Sequence, residues 1–156
     1  MASPCVAWKA VSTSSAGTTE LSVDWKIAVA VRDDLETWQK LNLTAFVVSG
    51  LGIEHPDLIG EPYVDGSGRV ELPKFGIPVL VYAGDGDGIR RAFLRAVGRD
   101  LTVSVYTDDL FVTGNDIDNR AAVADVATED LAVAGFAVAG EGKQVDKVFD
   151  KLKFHP

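Results

Sequence analysis

A chain of 156 residues with 47% hydrophobic and 24% charged residues is typical of one globular domain with its own core. Its 15 basic and 23 acidic residues give a net charge of −8, which disfavours nucleic acid as a partner, because such binding depends on Lys and Arg at the phosphates. One cysteine and two histidines exclude an intramolecular disulfide and disfavour a metal site, so we expect no metal and no cofactor.

The start of the chain differs in composition from the rest. Residues 10–20 are small and polar and can bury little apolar surface, so we expect residues 1–22 to form a flexible or loosely packed lead-in. We expect residues 23–156 to form a single α/β domain. The chain has neither the long apolar run of a membrane span nor the basic and apolar regions of a signal peptide, which favours a cytoplasmic protein without a membrane.

The segment from Lys26 to Gly50 predicts a strand followed directly by a helix. Residues 26–32 form a continuous apolar run with β-branched residues, as in strands that are covered on both faces. Asp34 is a suitable N-cap for a helix that begins at Leu35 and ends at Ser49-Gly50. Residues 43–48 are apolar nearly all round, which predicts a buried helix. Four residues at helical spacing are the expected inner face: Trp38, Leu41, Ala45 and Val48.

The remaining chain alternates between strand and helix patterns. Further strands are predicted over 77–83, 101–106 and 131–138, each followed by a helical pattern, and a hairpin or irregular arm is predicted around Asp65–Gly68. This alternation predicts a mostly parallel sheet with helices on both faces. In the helix after the second strand, Arg91, Arg95 and Arg99 form a basic stripe. The stripe is either a solvated face or a contact to an acidic partner or a second subunit.

Two polar residues interrupt the apolar first helix, and they are the first candidate site. Asn42 and Thr44 need hydrogen-bond partners if the helix is buried. One alternative is a structural bond from Asn42 to the neighbouring strand. The other has Asn42 and nearby Lys40 facing a pocket at the carboxyl end of the strand, where ligands bind in open α/β sheets.

A second polar cluster follows a different strand. Tyr106-Thr107-Asp108-Asp109 could reach the same edge of the sheet, where carboxylates can serve as general bases. The simpler alternative is that Asp108 and Asp109 cap a short helix and pair with its dipole.

Three segments, 26–46, 58–65 and 106–115, are similar to blocks of the bacterial domain-of-unknown-function 2000 family. The resemblance extends over roughly residues 25–156. It implies the fold of peptidyl-tRNA hydrolase II, a compact three-layer α/β/α sandwich on a small, mostly parallel mixed sheet. It also implies a homodimer.

The hydrolase resemblance is visible in two places. Val31-Arg-Asp-Asp-Leu35 is similar to the Val-Arg-x-Asp-Leu of those enzymes, and residues 145–154 are similar to their last helix and closing Leu-Lys segment. The catalytic lysine of the hydrolases corresponds here to Leu41 or Asn42, and Phe46 stands where they have a glutamine. Lys40 lies one or two positions away. An asparagine cannot supply the positive charge of that lysine, so the resemblance implies the fold more strongly than the activity.

Three functions follow from these patterns. The first is binding of a small molecule at the edge near Asn42 and Asp108. The second is hydrolysis of an ester or amide other than peptidyl-tRNA, with Asp108 or Asp34 as the base and Lys40 and Asn42 stabilising charge. The third is peptidyl-tRNA hydrolysis itself. The candidate catalytic residues are Lys40, Asn42 and Asp108, and the candidate ligand-binding residues are Asp34, Thr44, Thr107 and Asp109.

Overall fold

The computed structural model describes residues 24–156, so the predicted lead-in, residues 1–22, lies outside the described residues. The strands are β1 (Trp25–Arg32), β2 (Tyr63–Val64), β3 (Val70–Glu71), β4 (Val79–Gly84), β5 (Thr102–Thr107), β6 (Val133–Glu141) and β7 (Lys153–Phe154). The helices are α1 (Thr37–Glu54), α2 (Gly86–Val97), α3 (Asp116–Ala124) and α4 (Gly142–Phe149). None of these helices is both long and apolar enough to cross a membrane.

Five strands form one mixed sheet in the order β5-β6-β1-β4-β7. Helix α1 covers one face, where Leu43, Val47 and Leu51 pack against alternate residues of β1 and β6. Helices α2 and α4 cover the other face around Phe136. Both faces of β1 and β6 are therefore buried, which explains why these two strands are apolar at nearly every position.

The strand directions correct one prediction. Only the β1–β4 pair is parallel, whereas β1–β6, β5–β6 and β4–β7 are antiparallel, so the sheet is mixed rather than mostly parallel. The segment between β5 and β6 contains α3, yet β6 runs antiparallel to β5. Alternation of strand and helix patterns indicates which segments form strands, but it carries no information on the direction of a neighbouring strand.

Helix α1 differs from its prediction in its ends and its inner face. It begins after Glu36, whose backbone N–H donates to Oε1 of Gln39 at 2.9 Å, and it continues past Gly50 to Glu54. Trp38 and Leu41, predicted to face inward, are 57% and 68% exposed. The helix has two apolar stripes, and the pattern alone could not show that the stripe of Leu43, Val47 and Leu51 is the one that faces the sheet.

The predicted hairpin is confirmed as the antiparallel ribbon β2–β3. Oδ1 of Asp65 accepts hydrogen bonds from the backbone N–H groups of Ser67 and Arg69, at 2.8 and 3.0 Å, which closes the turn. We call residues 61–73 the arm. Its large apolar side chains are exposed: Tyr63, Val64, Val70 and Leu72.

Candidate functional site

Arg32 joins the acidic residues at the edge where β1 and β5 end. Its Nε donates to Oδ1 of Asp34 at 2.9 Å, and its Nη1 donates to Oδ2 of Asp108 at 2.7 Å. Partial burial alone would lower the pKa of Arg32, but the hydrogen bonds to Asp108 and Asp34 outweigh burial and raise the pKa. The structure thus brings two predicted site residues together through Arg32, which was not among the predicted site residues. The position of Arg32 at the end of a buried strand, directly before two aspartates, is the sequence feature that could have identified it.

The other polar residues around Asp108 also make contacts within the protein. Thr107 is buried, and its Oγ1 lies 3.5 Å from Oδ2 of the exposed Asp109. The backbone N–H of Asp108 donates to the carbonyl of Ala132 at 2.9 Å and starts the predicted short helical turn. In residues 24–156 no group of three or more His, Cys, Asp and Glu side chains is placed to hold a metal ion.

Asn42 lines a pocket of about 420 Å³ beside the end of β5. We call it the Asn42 pocket. It is formed by α1, the segment after β5 and the start of α3, and its lining includes four aromatic rings and three amide side chains. The aromatic residues are Trp38, Phe46, Tyr106 and Phe111. The rings pack edge-on or tilted against one another, with centroids of Tyr106 and Phe111 4.8 Å apart.

Hydrogen bonds fix the amide groups of this pocket. The Tyr106 hydroxyl donates to Oδ1 of Asn42 at 3.1 Å, which directs the Asn42 NH₂ group away from β5. Burial raises the pKa of Tyr106, so its hydroxyl keeps its proton and its donor role at neutral pH. On α3, Oδ1 of Asn119 accepts a hydrogen bond from the Thr113 hydroxyl. Among residues 24–156 no side-chain hydrogen bond uses the NH₂ groups of Asn42 and Asn119, so both can donate to a ligand.

Lys40 and Thr44 lie on the opposite flank of α1 from Asn42. They line a second concavity of about 660 Å³ between α1 and β4, which we call the β4 groove. The Thr44 hydroxyl donates to the backbone carbonyl of Lys40 at 2.7 Å. The structure therefore separates Lys40 from Asn42, because residues two positions apart on a helix do not face each other.

These features define a mixed α/β domain with a pocket at the strand-end edge of its sheet. The chain belongs to the family described as "Protein of unknown function (DUF2000)", whose family model matches residues 25–156. It is similar to the solved structure of a protein of unknown function, Atu0240, from Agrobacterium tumefaciens strain C58. The two are 41% identical with a TM-score of 0.82, over 85% of this chain and 98% of that one. No curated protein matches the sequence.

Proposed function

We propose that the protein binds a small planar molecule with carbonyl or ring-nitrogen acceptors in the Asn42 pocket. One observation carries the proposal: the NH₂ group of Asn42 stands among aromatic rings in a concavity of about 420 Å³. Ligand pockets typically combine a largely apolar and aromatic lining with a few polar groups that fix the orientation of the ligand. Asp108, predicted to share this site, does not line the pocket: its carboxylate is bonded to Arg32, next to the segment that forms the pocket wall.

The geometry favours binding over hydrolysis. The hydrolase alternative needs Lys40 and Asn42 to stabilise charge at one substrate, but these side chains line different concavities. The carboxylates of Asp108 and Asp34, the two candidate bases, are both bonded to Arg32. We therefore expect a panel of activated esters to be turned over no faster by the wild type than by Asp108→Asn.

The finer assignment of the fold to the peptidyl-tRNA hydrolase II type is also our proposal. It is supported by Val31–Leu35 at the end of β1 and by the amphipathic last helix, which is α4 here. Superposing a crystal structure of this protein on such a hydrolase tests it. A different strand order in the hydrolase would overturn it.

The binding proposal is tested with a fragment set of nucleobases, nicotinamide and benzamides, measured by ¹H–¹⁵N NMR on residues 24–156. We expect selective shifts at Asn42, Tyr106 and Asn119, and weaker binding by about fivefold in Asn42→Leu, since a neutral hydrogen bond contributes about 1 kcal/mol and the ring contacts persist. Lys40→Gln, on the opposite flank of α1, is the matched control and should bind as the wild type does. Shifts spread evenly over the surface, or equal affinity in Asn42→Leu, would contradict the proposal.

A further inference from the structure

The β4 groove exists because α1 does not cover the whole face of the sheet. The helix packs against β1, β5 and β6, and β4 lies beyond it, so Val79 and Val81 remain only half-buried on this face. The groove walls are apolar side chains from α1, β1 and β4. They are Val31, Leu41, Ala45, Val48, Val79 and Val81. An apolar concavity of about 660 Å³ lies within the size range of ligand sites.

Among the described residues, Lys40 is the one Lys, Arg, Asp or Glu side chain that lines the groove. It is half-buried in the wall, and no ion pair in residues 24–156 involves it. Within the described part of the chain no Asp or Glu lines the groove, although the chain as a whole carries a net charge of −8. An apolar concavity lined by one cation and by no Asp or Glu side chain is complementary to a ligand with an apolar body and an anionic head.

His155 adds a polar group to the same groove. Its backbone N–H donates to the carbonyl of Val81 at 3.0 Å, which fixes the residue beside β4. Its Nδ1 lies 2.9 Å from the carbonyl oxygen of Pro156, so Nε2 is the ring nitrogen left for the groove. The Thr44 hydroxyl already donates within α1, so it is not a donor to an anion.

We propose that the β4 groove binds an amphipathic carboxylate, with an aliphatic chain along the valine walls and the carboxylate at Lys40. This site is separate from the Asn42 pocket, since α1 lies between them. The ligand class follows from the groove chemistry: apolar walls bury the chain, and a half-buried ammonium strengthens its hydrogen bond to a carboxylate.

A second copy of the chain fits the groove less well. In a twofold-symmetric interface the same patch meets itself, so the two Lys40 side chains would approach without a carboxylate from either groove to pair with. Burying two like charges in that way is unfavourable. An anionic ligand can pair with the Lys40 ammonium, whereas the groove of a second copy offers it no carboxylate.

The test uses decanoate below its micelle concentration as the probe, with 1-decanol as the neutral analogue, measured by isothermal titration calorimetry on the full chain. We expect one decanoate per chain and weaker binding of decanol. Lys40→Gln should weaken decanoate about tenfold and leave decanol unchanged, because only the charged head group uses the ammonium. Lys143→Gln, which removes an exposed lysine on α4 at the opposite face of the sheet, is the matched control and should have no effect.

A groove-filling variant tests the location. Ala45 is an exposed wall residue of α1, so Ala45→Trp should fill the groove without disturbing the core and should abolish binding of both ligands. Far-UV circular dichroism and the Tm verify its fold. Asn42→Leu should keep full decanoate affinity, which separates this site from the Asn42 pocket. No decanoate binding, binding that persists in Ala45→Trp, or equal losses for both ligands in Lys40→Gln would overturn the proposal. So would a dimer that dissociates in Ala45→Trp and never binds decanoate.

Discussion

At the scale of single residues, Arg32 holds together the acidic edge of the sheet. Its side chain is 20% exposed, and it is the cation between Asp34 and Asp108, which follow the carboxyl ends of two different strands, β1 and β5. We expect Arg32→Gln to lower the free energy of unfolding by about 1–2 kcal/mol, between the values for exposed and buried ion pairs, because the two carboxylates then lose their partner. Urea unfolding followed by circular dichroism measures this loss.

The matched control is Arg69→Gln in the arm. Arg69 also pairs with a carboxylate, that of Glu71 at 2.9 Å, but its side chain is 74% exposed. Such a pair contributes at most about 1 kcal/mol and commonly much less. Equal losses in the two variants would show that Arg32 has no structural role beyond that of a surface charge.

The sequence identified Asn42 as a candidate site residue but left open what it contacts. The two alternatives, a bond to the neighbouring strand and a place in a pocket, are both present, because one atom of the amide meets Tyr106 of β5 while the side chain lines the Asn42 pocket. Lys40 could have been separated from Asn42 by helix geometry alone. Asn119 could not have been found this way, since its place in the pocket depends on how α3 packs beside β5.

At the scale of elements, Gly135 sets how closely α1 approaches the sheet. A Cβ at this position of β6 would lie 2.5 Å from the carbonyl oxygen of Ala30 and 2.8 Å from the Leu43 methyl groups. We expect Gly135→Ala to destabilise the protein by about 2–3 kcal/mol or to prevent folding, because a backbone atom in β1 cannot move without breaking the pairing. Gly66→Ala, where nothing lies within 4 Å of the added Cβ, should change the stability by less than about 0.5 kcal/mol. Thermal unfolding compares the two, and a Gly135→Ala protein as stable as the wild type would contradict this packing.

The arm is a second element with a testable role. A two-stranded ribbon alone is marginally stable, and this one exposes four large apolar residues. At the base of the arm, the Gly60 N–H donates to the carbonyl of Lys74, and the Gly76 N–H donates to the carbonyl of Leu58, both at 2.8 Å. The arm can therefore be removed without breaking these two hydrogen bonds. We predict that the wild type is a homodimer joined through the arm. Replacing residues 61–73 with Asn-Gly, a pair suited to a tight hairpin turn, should give a monomer.

Sedimentation equilibrium measures this change, with a monomer mass of 16.6 kDa for the intact chain as the reference. The shortened protein should unfold in urea in one cooperative transition, because the core of the domain lies outside the arm. A wild type that sediments as a monomer would end the homodimer prediction. A shortened protein that still dimerises would place the interface elsewhere.

Elements were predicted best where burial leaves a strong pattern. The runs that became β1, β4 and β6 are apolar, the segment of β5 alternates between apolar and polar residues, and each strand was placed within a few residues. β7 was missed, because two exposed residues, Lys153 and Phe154, carry no alternation, and they form a strand only by pairing with Tyr82 and Ala83 of β4.

At the scale of the whole molecule, the sheet order depends on contacts that no local pattern records. β6 is late in the chain, yet it lies between β5 and β1, and this insertion makes most pairings antiparallel. An apolar run shows that a strand is covered on both faces, but not which neighbours it has. The same insertion places the ends of β1 and β5 at one edge, which is why Arg32 and Asp108 meet although the sheet is not mostly parallel as predicted.

The net charge of −8 is a property of the whole molecule, and it yields a prediction about tRNA. Acidic residues outnumber basic ones, 23 to 15, and the basic stripe is partly occupied, since Arg95 of α2 donates to the carbonyl of Val148 at 2.6 Å. We therefore expect no tRNA binding in filter assays even at low salt, where attraction to phosphate is strongest. The control is the double variant Arg91→Gln/Arg99→Gln, which removes the remaining arginines of the stripe and should behave as the wild type does. Salt-dependent binding by the wild type that this variant abolishes would show that α2 is a phosphate-binding face and would reopen peptidyl-tRNA hydrolysis as the function.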